Sequence, residues 1–169
     1  MLETIFFKNG TLKLLNNKVD IYLPDLKYYS SNISQKYSNA PNYFKIATKA
    51  IEEMYNQVGS PQFNTKGIIT KGLIVRHLVL PGHIEDSKKI LKYLYDTYKN
   101  NIYISIMNQY TPVRTTPYPN LCRPLTKKEY NEVIDYAYNL GIRNAFVQDG
   151  ETSKESFIPI FTDSKQNKF

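Results

Sequence analysis

The stretch Gly72-Leu73-Ile74-Val75-Arg76-His77-Leu78-Val79-Leu80-Pro81-Gly82-His83 sets the reading of the whole chain. Leu73 to Leu80 is apolar and rich in branched side chains, interrupted only by Arg76 and His77 and stopped by Pro81-Gly82. A short run that is apolar on both faces is the signature of a strand buried from both sides, as in parallel sheets. Side chains alternate along a strand, so adjacent Arg76 and His77 go to opposite faces. One guanidinium is therefore expected in a dry layer, where an unpaired charge costs several kcal/mol. It calls for an anionic partner.

Composition bounds what surrounds this strand. A chain of 169 residues suits a single domain, long enough to bury about 70% of its unfolded surface. The apolar runs are of strand length, so no membrane helix is expected. Met1-Leu2-Glu3-Thr4 opens no basic, then apolar, leader. A single cysteine, Cys122, excludes an internal disulfide and suits a reducing, cytoplasmic setting. The net charge is +7, from 22 basic and 15 acidic residues. The lysines are scattered singly or in pairs such as Lys88-Lys89 and Lys127-Lys128, which argues for solvated helix faces and against nucleic acid.

Working outward, Leu2–Phe7 is a short apolar stretch closed by Asn9-Gly10, and Thr11–Leu15 is either a helical turn or a hairpin arm. Val19–Leu23 reads as a strand closed by Pro24, followed by a polar loop from Ser30 to Asn39. Pro41 opens a helix whose apolar stripe is Phe44, Ala47, Ile51, Met54, Tyr55 and Val58, ended by Gly59. Gly59 to Lys71 is a loop or a hairpin arm. After the central strand, Asp86 or Ser87 is expected to cap a helix with Ile90, Leu91, Leu94, Tyr95 and Tyr98 inward, and Ile102–Met107 forms the next strand. A long loop with four prolines (Pro112, Pro117, Pro119, Pro124) leads to the capping box Thr126-Lys127-Lys128-Glu129. That box opens a helix with Tyr130, Val133, Ile134, Ala137 and Tyr138 inward, capped by Gly141, before a last strand at Asn144–Val147.

The order β-α-β-α-β-α-β implies right-handed crossovers and a parallel sheet, an α/β fold of partial (β/α) barrel type. Polar residues gather just after the strands: Asp25 and Lys27; His83; Asn108, Gln109 and Tyr110; Gln148 and Asp149. Parallel α/β folds build their sites at the carboxyl ends of strands, so a site drawn from several loops is expected there.

These segments resemble the C-terminal portion of radical S-adenosylmethionine (SAM) proteins, closest to those similar to pyruvate formate-lyase activating enzymes. The resemblance rests on Val19–Tyr28, Lys36–Tyr43, Glu53-Met54 with Gln57-Val58-Gly59, Arg76–Gly82, Met107–Tyr110 and Glu155–Pro159, and runs from about residue 11 to 161. Residues 162–169 are expected to be a flexible tail of the one domain, 1–169. The resemblance implies the C-terminal part of a (β/α)6-type barrel. It also implies, for the family, oxidoreductase chemistry in which SAM is cleaved reductively at a [4Fe–4S] cluster, acting on a protein substrate. By that resemblance Asp25 and Lys27 lie beside the methionyl end of SAM, Arg76 reaches toward SAM or substrate, and Gln109 and Tyr110 end the strand facing the ribose. A cluster of this kind is held by three thiolates on a CxxxCxxC loop. The chain has only Cys122, so no cluster is expected on it alone, and it reads as an inactive fragment needing an N-terminal cluster-bearing partner.

The residues themselves leave alternatives open. Arg76 has Asp20, Asp25 or a ligand carboxylate as candidate partners, because a buried guanidinium favours bidentate carboxylate contacts. His77 reads as a neutral core residue; His77 and His83 share no metal-ligand spacing, and Cys122 reads as inert. No glycine-rich nucleotide loop follows a strand. A non-catalytic binding or interaction module that pairs with another chain is the alternative. An open partial barrel in any case leaves strand edges at Val19–Leu23 or Asn144–Val147 unpaired, so a dimer, a swapped assembly or poor solubility is expected.

Overall fold

A computed structural model of the chain describes residues 9–112 and 117–148. The stretch Leu2–Phe7, Asp149, the Glu155–Pro159 block and the expected tail lie outside the described residues. The elements are α1 (Asn9–Lys13), β1 (Ile21–Tyr22), α2 (Ser31–Ser38), α3 (Tyr43–Val58), β2 (Gln62–Phe63), β3 (Ile69–Leu78), α4 (Ile84–Tyr98), β4 (Tyr103–Met107), a 3-10 turn at Pro119–Cys122, α5 (Lys127–Leu140) and β5 (Ala145–Val147). Strands β1, β3, β4 and β5 stand in that order, each parallel to its neighbour, and β2 turns back antiparallel on β3. The result is a mixed α/β fold, a parallel sheet flanked by helices with barrel-like architecture. No helix of the described residues is long and apolar enough to cross a membrane.

One face of the sheet carries the core. Leu73, Val75, His77 and Val79 point to it and are fully buried, as are Ile104 and Ile106 of β4. The helices bring Ile51 and Met54 from α3, Ile90, Leu91 and Leu94 from α4, and Val133 and Ala137 from α5. Each large aliphatic buried in this way contributes about 1.5–3 kcal/mol. Local chemistry fixes the ends of α5. Thr126 Oγ1 accepts from the Glu129 amide while the Glu129 carboxylate accepts from the Thr126 amide, and Gly141 closes the helix at φ +102°. Arg123 holds the Glu129 carboxyl well below the usual carboxylate range, against the opposing effect of desolvation.

Several local expectations give way to longer-range contacts. Ser30–Asn39 is not a loop: it contains α2, stopped by Asn39 in the left-handed region at φ 50°. Neither Asp86 nor Ser87 caps α4, which starts at Ile84 behind His83. The Asp86 carboxylate instead accepts the amides of Tyr29 and Ser30 at 2.8 and 2.9 Å, tying α4 to the start of α2. Tyr138, expected inward, is exposed and lies against the Arg143 guanidinium. The residues after Gly59 do form a hairpin arm, β2.

Candidate functional site

Among the described residues, no helix covers the second face of the sheet. Alternation places Ile74, Arg76 and Leu78 of β3 there, with Tyr103, Ser105 and Met107 of β4 and Phe146 of β5. Pairing aligns Asp25 with Arg76, Arg76 with Ser105, and Ser105 with Phe146, one register running across the sheet. Toward the amino ends of the strands Tyr103 stacks on Phe146, with ring centroids 5.1 Å apart, and Phe63 meets Tyr103 edge-on at 6.0 Å.

Arg76 is the main correction to the sequence reading. It is not in a dry layer: its side chain keeps 44% of its exposure. The strand was apolar on both faces, but the described residues cover only one. The anionic partner is Asp25, whose Oδ1 lies 2.7 Å from Arg76 Nε; Lys27 Nζ lies 3.6 Å from Oδ2 of the same carboxylate. Two cations thus share one acid at the carboxyl end of β1 and β3. The cluster retains one net positive charge, and the chain direction Asp25-Leu26-Lys27 puts both charged groups to one side and fully buried Leu26 to the other.

Other candidates are placed as follows. Gln109 is exposed and makes no hydrogen bond or ion pair with Asp25 or Arg76 among the described residues. The Tyr110 hydroxyl donates to the Leu121 carbonyl at 2.9 Å, pinning the proline-rich loop to the end of β4. Asn108 and Gln148 bond each other, the Asn108 amide donating to Gln148 Oε1 at 3.0 Å, so the ends of β4 and β5 are joined. His83 is drawn into a 2.7 Å hydrogen bond with the Tyr37 hydroxyl. Cys122 is exposed. No protein-family model matches the chain. An uncharacterized protein of Methanocaldococcus jannaschii is 29% identical over 135 residues, 78% of this chain and 36% of that protein. The chain therefore spans little more than a third of the length of the relative it matches.

Two residues lie behind the cluster: His77, expected as a neutral core residue, and Tyr43, which sequence reasoning missed. His77 is 1% exposed, and its Nδ1 lies 2.8 Å from the Leu26 carbonyl. A carbonyl can only accept, so Nδ1 carries the proton and Nε2, buried without a partner among the described residues, does not. Burial pushes the imidazole below its ordinary pKa, outweighing the Leu26 hydrogen bond and the Asp86 charge. Tyr43, the first residue of α3, donates its hydroxyl to the Asp25 carbonyl at 3.0 Å and accepts the Lys27 amide at 2.9 Å. Burial raises this phenol well above its ordinary range, so it stays protonated. His77 is adjacent to Arg76, a clue that its ring sits behind the site; nothing in the sequence singles out Tyr43.

Proposed function

We propose that the chain is the SAM-binding C-terminal part of a radical SAM protein similar to pyruvate formate-lyase activating enzymes, and that Asp25, Lys27 and Arg76 receive the amino-acid end of SAM. The observation carrying this reading is the Asp25–Lys27–Arg76 cluster itself, partly exposed on the helix-free face at the carboxyl edge of a parallel sheet. One carboxylate flanked by two cations complements a zwitterion: the ligand ammonium faces Asp25, and its carboxylate faces Lys27 and Arg76. The aligned Ser105 and the Tyr103–Phe146 stack extend the same face with a hydroxyl and an apolar wall. Gln109 and Tyr110 follow β4 at its carboxyl end, and the resemblance assigns them to the ribose side.

The residues described do not fit a [4Fe–4S] cluster. Three thiolates are needed, the chain has one cysteine, and no group of three His, Cys, Asp or Glu side chains among the described residues is disposed to hold a metal. The thiolates therefore belong to a further segment or chain, and no step of the chemistry is assigned to this one. Binding tests the reading. SAM and free methionine, titrated into the chain by NMR, are expected to perturb the Lys27 and Arg76 signals and to bind about 10-fold or more weakly to Arg76→Ala, since hydrogen bonds to charged groups contribute about 1.5–3 kcal/mol. Absence of binding at millimolar concentrations, or equal binding by Arg76→Ala and Asp25→Asn, would sink it.

The helix-free face also supports the second reading, an interaction module. Leu23 and Phe63 are 52% and 48% exposed on or beside it, and β1 and β5 are the outer strands among the described residues. Such edges and apolar surface favour pairing. Sedimentation is expected to show concentration-dependent association, and Leu23→Lys to weaken it; a monomer at all concentrations excludes self-association through this face.

A further inference from the structure

We propose that Tyr43 and His77 are positioning residues that hold the Asp25-Leu26-Lys27 segment, and through it Arg76, in the arrangement that meets a ligand. The proposal rests on the reading of this cluster as a ligand site, but its geometric content is independent of which ligand binds. Strand β1 ends at Tyr22, so the segment that carries Asp25 and Lys27 is held by few ladder bonds: Arg76 donates to Pro24 O at 2.8 Å, and Leu26 donates to Arg76 O at 2.9 Å. The remaining restraint comes from side chains on the buried side. His77 Nδ1 donates to the Leu26 carbonyl, and the Tyr43 hydroxyl bridges the Asp25 carbonyl and the Lys27 amide.

The bridge has a specific consequence. A single hydroxyl that donates to residue 25 and accepts from residue 27 fixes the peptide planes on both sides of Leu26, so the two charged side chains emerge on the same side. His77 grips the second of these peptides again through the Leu26 carbonyl, on the edge opposite the Lys27 amide. The anchors are themselves rigid: Tyr43 is 3% exposed and packs edge-on against Tyr28 at 5.3 Å, and His77 is enclosed in the core. Arg76 and His77 are neighbours on β3 with opposite directions, so one strand supplies both the cation facing the ligand and the clamp behind its carboxylate partner. Preorganisation of this kind sharpens a site by removing the cost of ordering it on binding.

The test compares Tyr43→Phe with Tyr28→Phe, which deletes a hydroxyl bonded to Ser38 and leaves the segment untouched. Tyr43→Phe is expected to raise hydrogen exchange at the Lys27 amide by about 10-fold or more and to shift the Arg76 Nε–H resonance, with the remaining amide spectrum preserved. Tyr28→Phe should change neither. Methionine affinity should fall about 10-fold in Tyr43→Phe alone. Should Tyr43→Phe fail to fold, His77→Asn and His77→Leu serve: asparagine can place an amide N–H near the Nδ1 position, leucine cannot. The Lys27 and Arg76 signals should be closer to wild type in His77→Asn. Unchanged Lys27 exchange in Tyr43→Phe, the same change in Tyr28→Phe, or no difference between the two His77 variants overturns the positioning role. If the wild type binds neither SAM nor methionine while the exchange results hold, the ligand reading fails and the clamp stands.

Discussion

Stability is expected to fall as the pH drops through about 6.5, with a slope approaching 1.4 kcal/mol per pH unit for one proton, and His77→Leu is expected to remove most of that slope. His77 is buried against the sheet and its pKa is lowered first by burial. Below 6.5 the unfolded chain takes up a proton at this position and the native chain does not. More protons bound in the unfolded state means that stability rises with pH, so the contribution is complete above 6.5 and is lost as the pH falls toward the depressed native value. His83, partly buried and also lowered, adds a smaller term of the same sign. The lowered carboxyl of Glu129 also acts in this direction, but its contribution is present above its ordinary 4.5 and is lost only below that, so the two windows separate. Urea midpoints at about pH 7.5, 6.5 and 5.5 resolve the effect. His77→Leu leaves the Leu26 carbonyl without its donor and should be less stable at pH 7.5 by about 1–3 kcal/mol, yet flatter. A wild-type midpoint independent of pH, or an equal slope in His77→Leu, would contradict the buried neutral imidazole.

What the sequence revealed was mostly local. The Thr126–Glu129 capping box, the Gly59 and Gly141 stops and the apolar stripes of α3 and α4 are decided within a few residues, and the structure reproduces them. Parallel order followed from the alternation of elements. The Asp25–Arg76 pair was one of the open alternatives because a guanidinium on a strand expected to be dry calls for a carboxylate, and Asp25 follows a neighbouring strand. Longer-range effects were hidden. Asp86 has a good capping side chain, but two amides 56 and 57 residues earlier hold it. The dryness expected around Arg76 failed because apolar alternation on both faces shows that a strand can be covered twice, and does not show what supplies the second cover. Tyr43 was one tyrosine among 15, and its double hydrogen bond exists only because the start of α3 abuts the end of β1.

On the proposed radical SAM reading, the chain supplied with iron, sulfide, dithionite and SAM is expected to release no 5′-deoxyadenosine above a protein-free control, and to release it once a fragment bearing a CxxxCxxC loop is added. Reductive cleavage needs an electron delivered through a cluster with an open iron site, and such a cluster is anchored by three thiolates. Cys122 cannot provide them: it is a single exposed thiol at the end of a 3-10 turn, with its Sγ 3.6 Å from the Tyr118 carbonyl. His77 is enclosed in the core at 1% exposure, and His83 is held by Tyr37. On the same reading, the face left without a helix by the described residues is where a second body carrying those thiolates would dock, since Arg76, Lys27 and Asp25 are partly exposed there with Leu23 and Phe63 exposed nearby. Product formation in the mixed sample should drop about 10-fold or more with Arg76→Ala, through weaker SAM retention. Product from the chain alone would show that the thiolate argument is wrong. Product from the mixture that is indifferent to Arg76→Ala would leave the pairing intact and remove Arg76 from the site, which separates assembly of the two parts from the role assigned to this cluster.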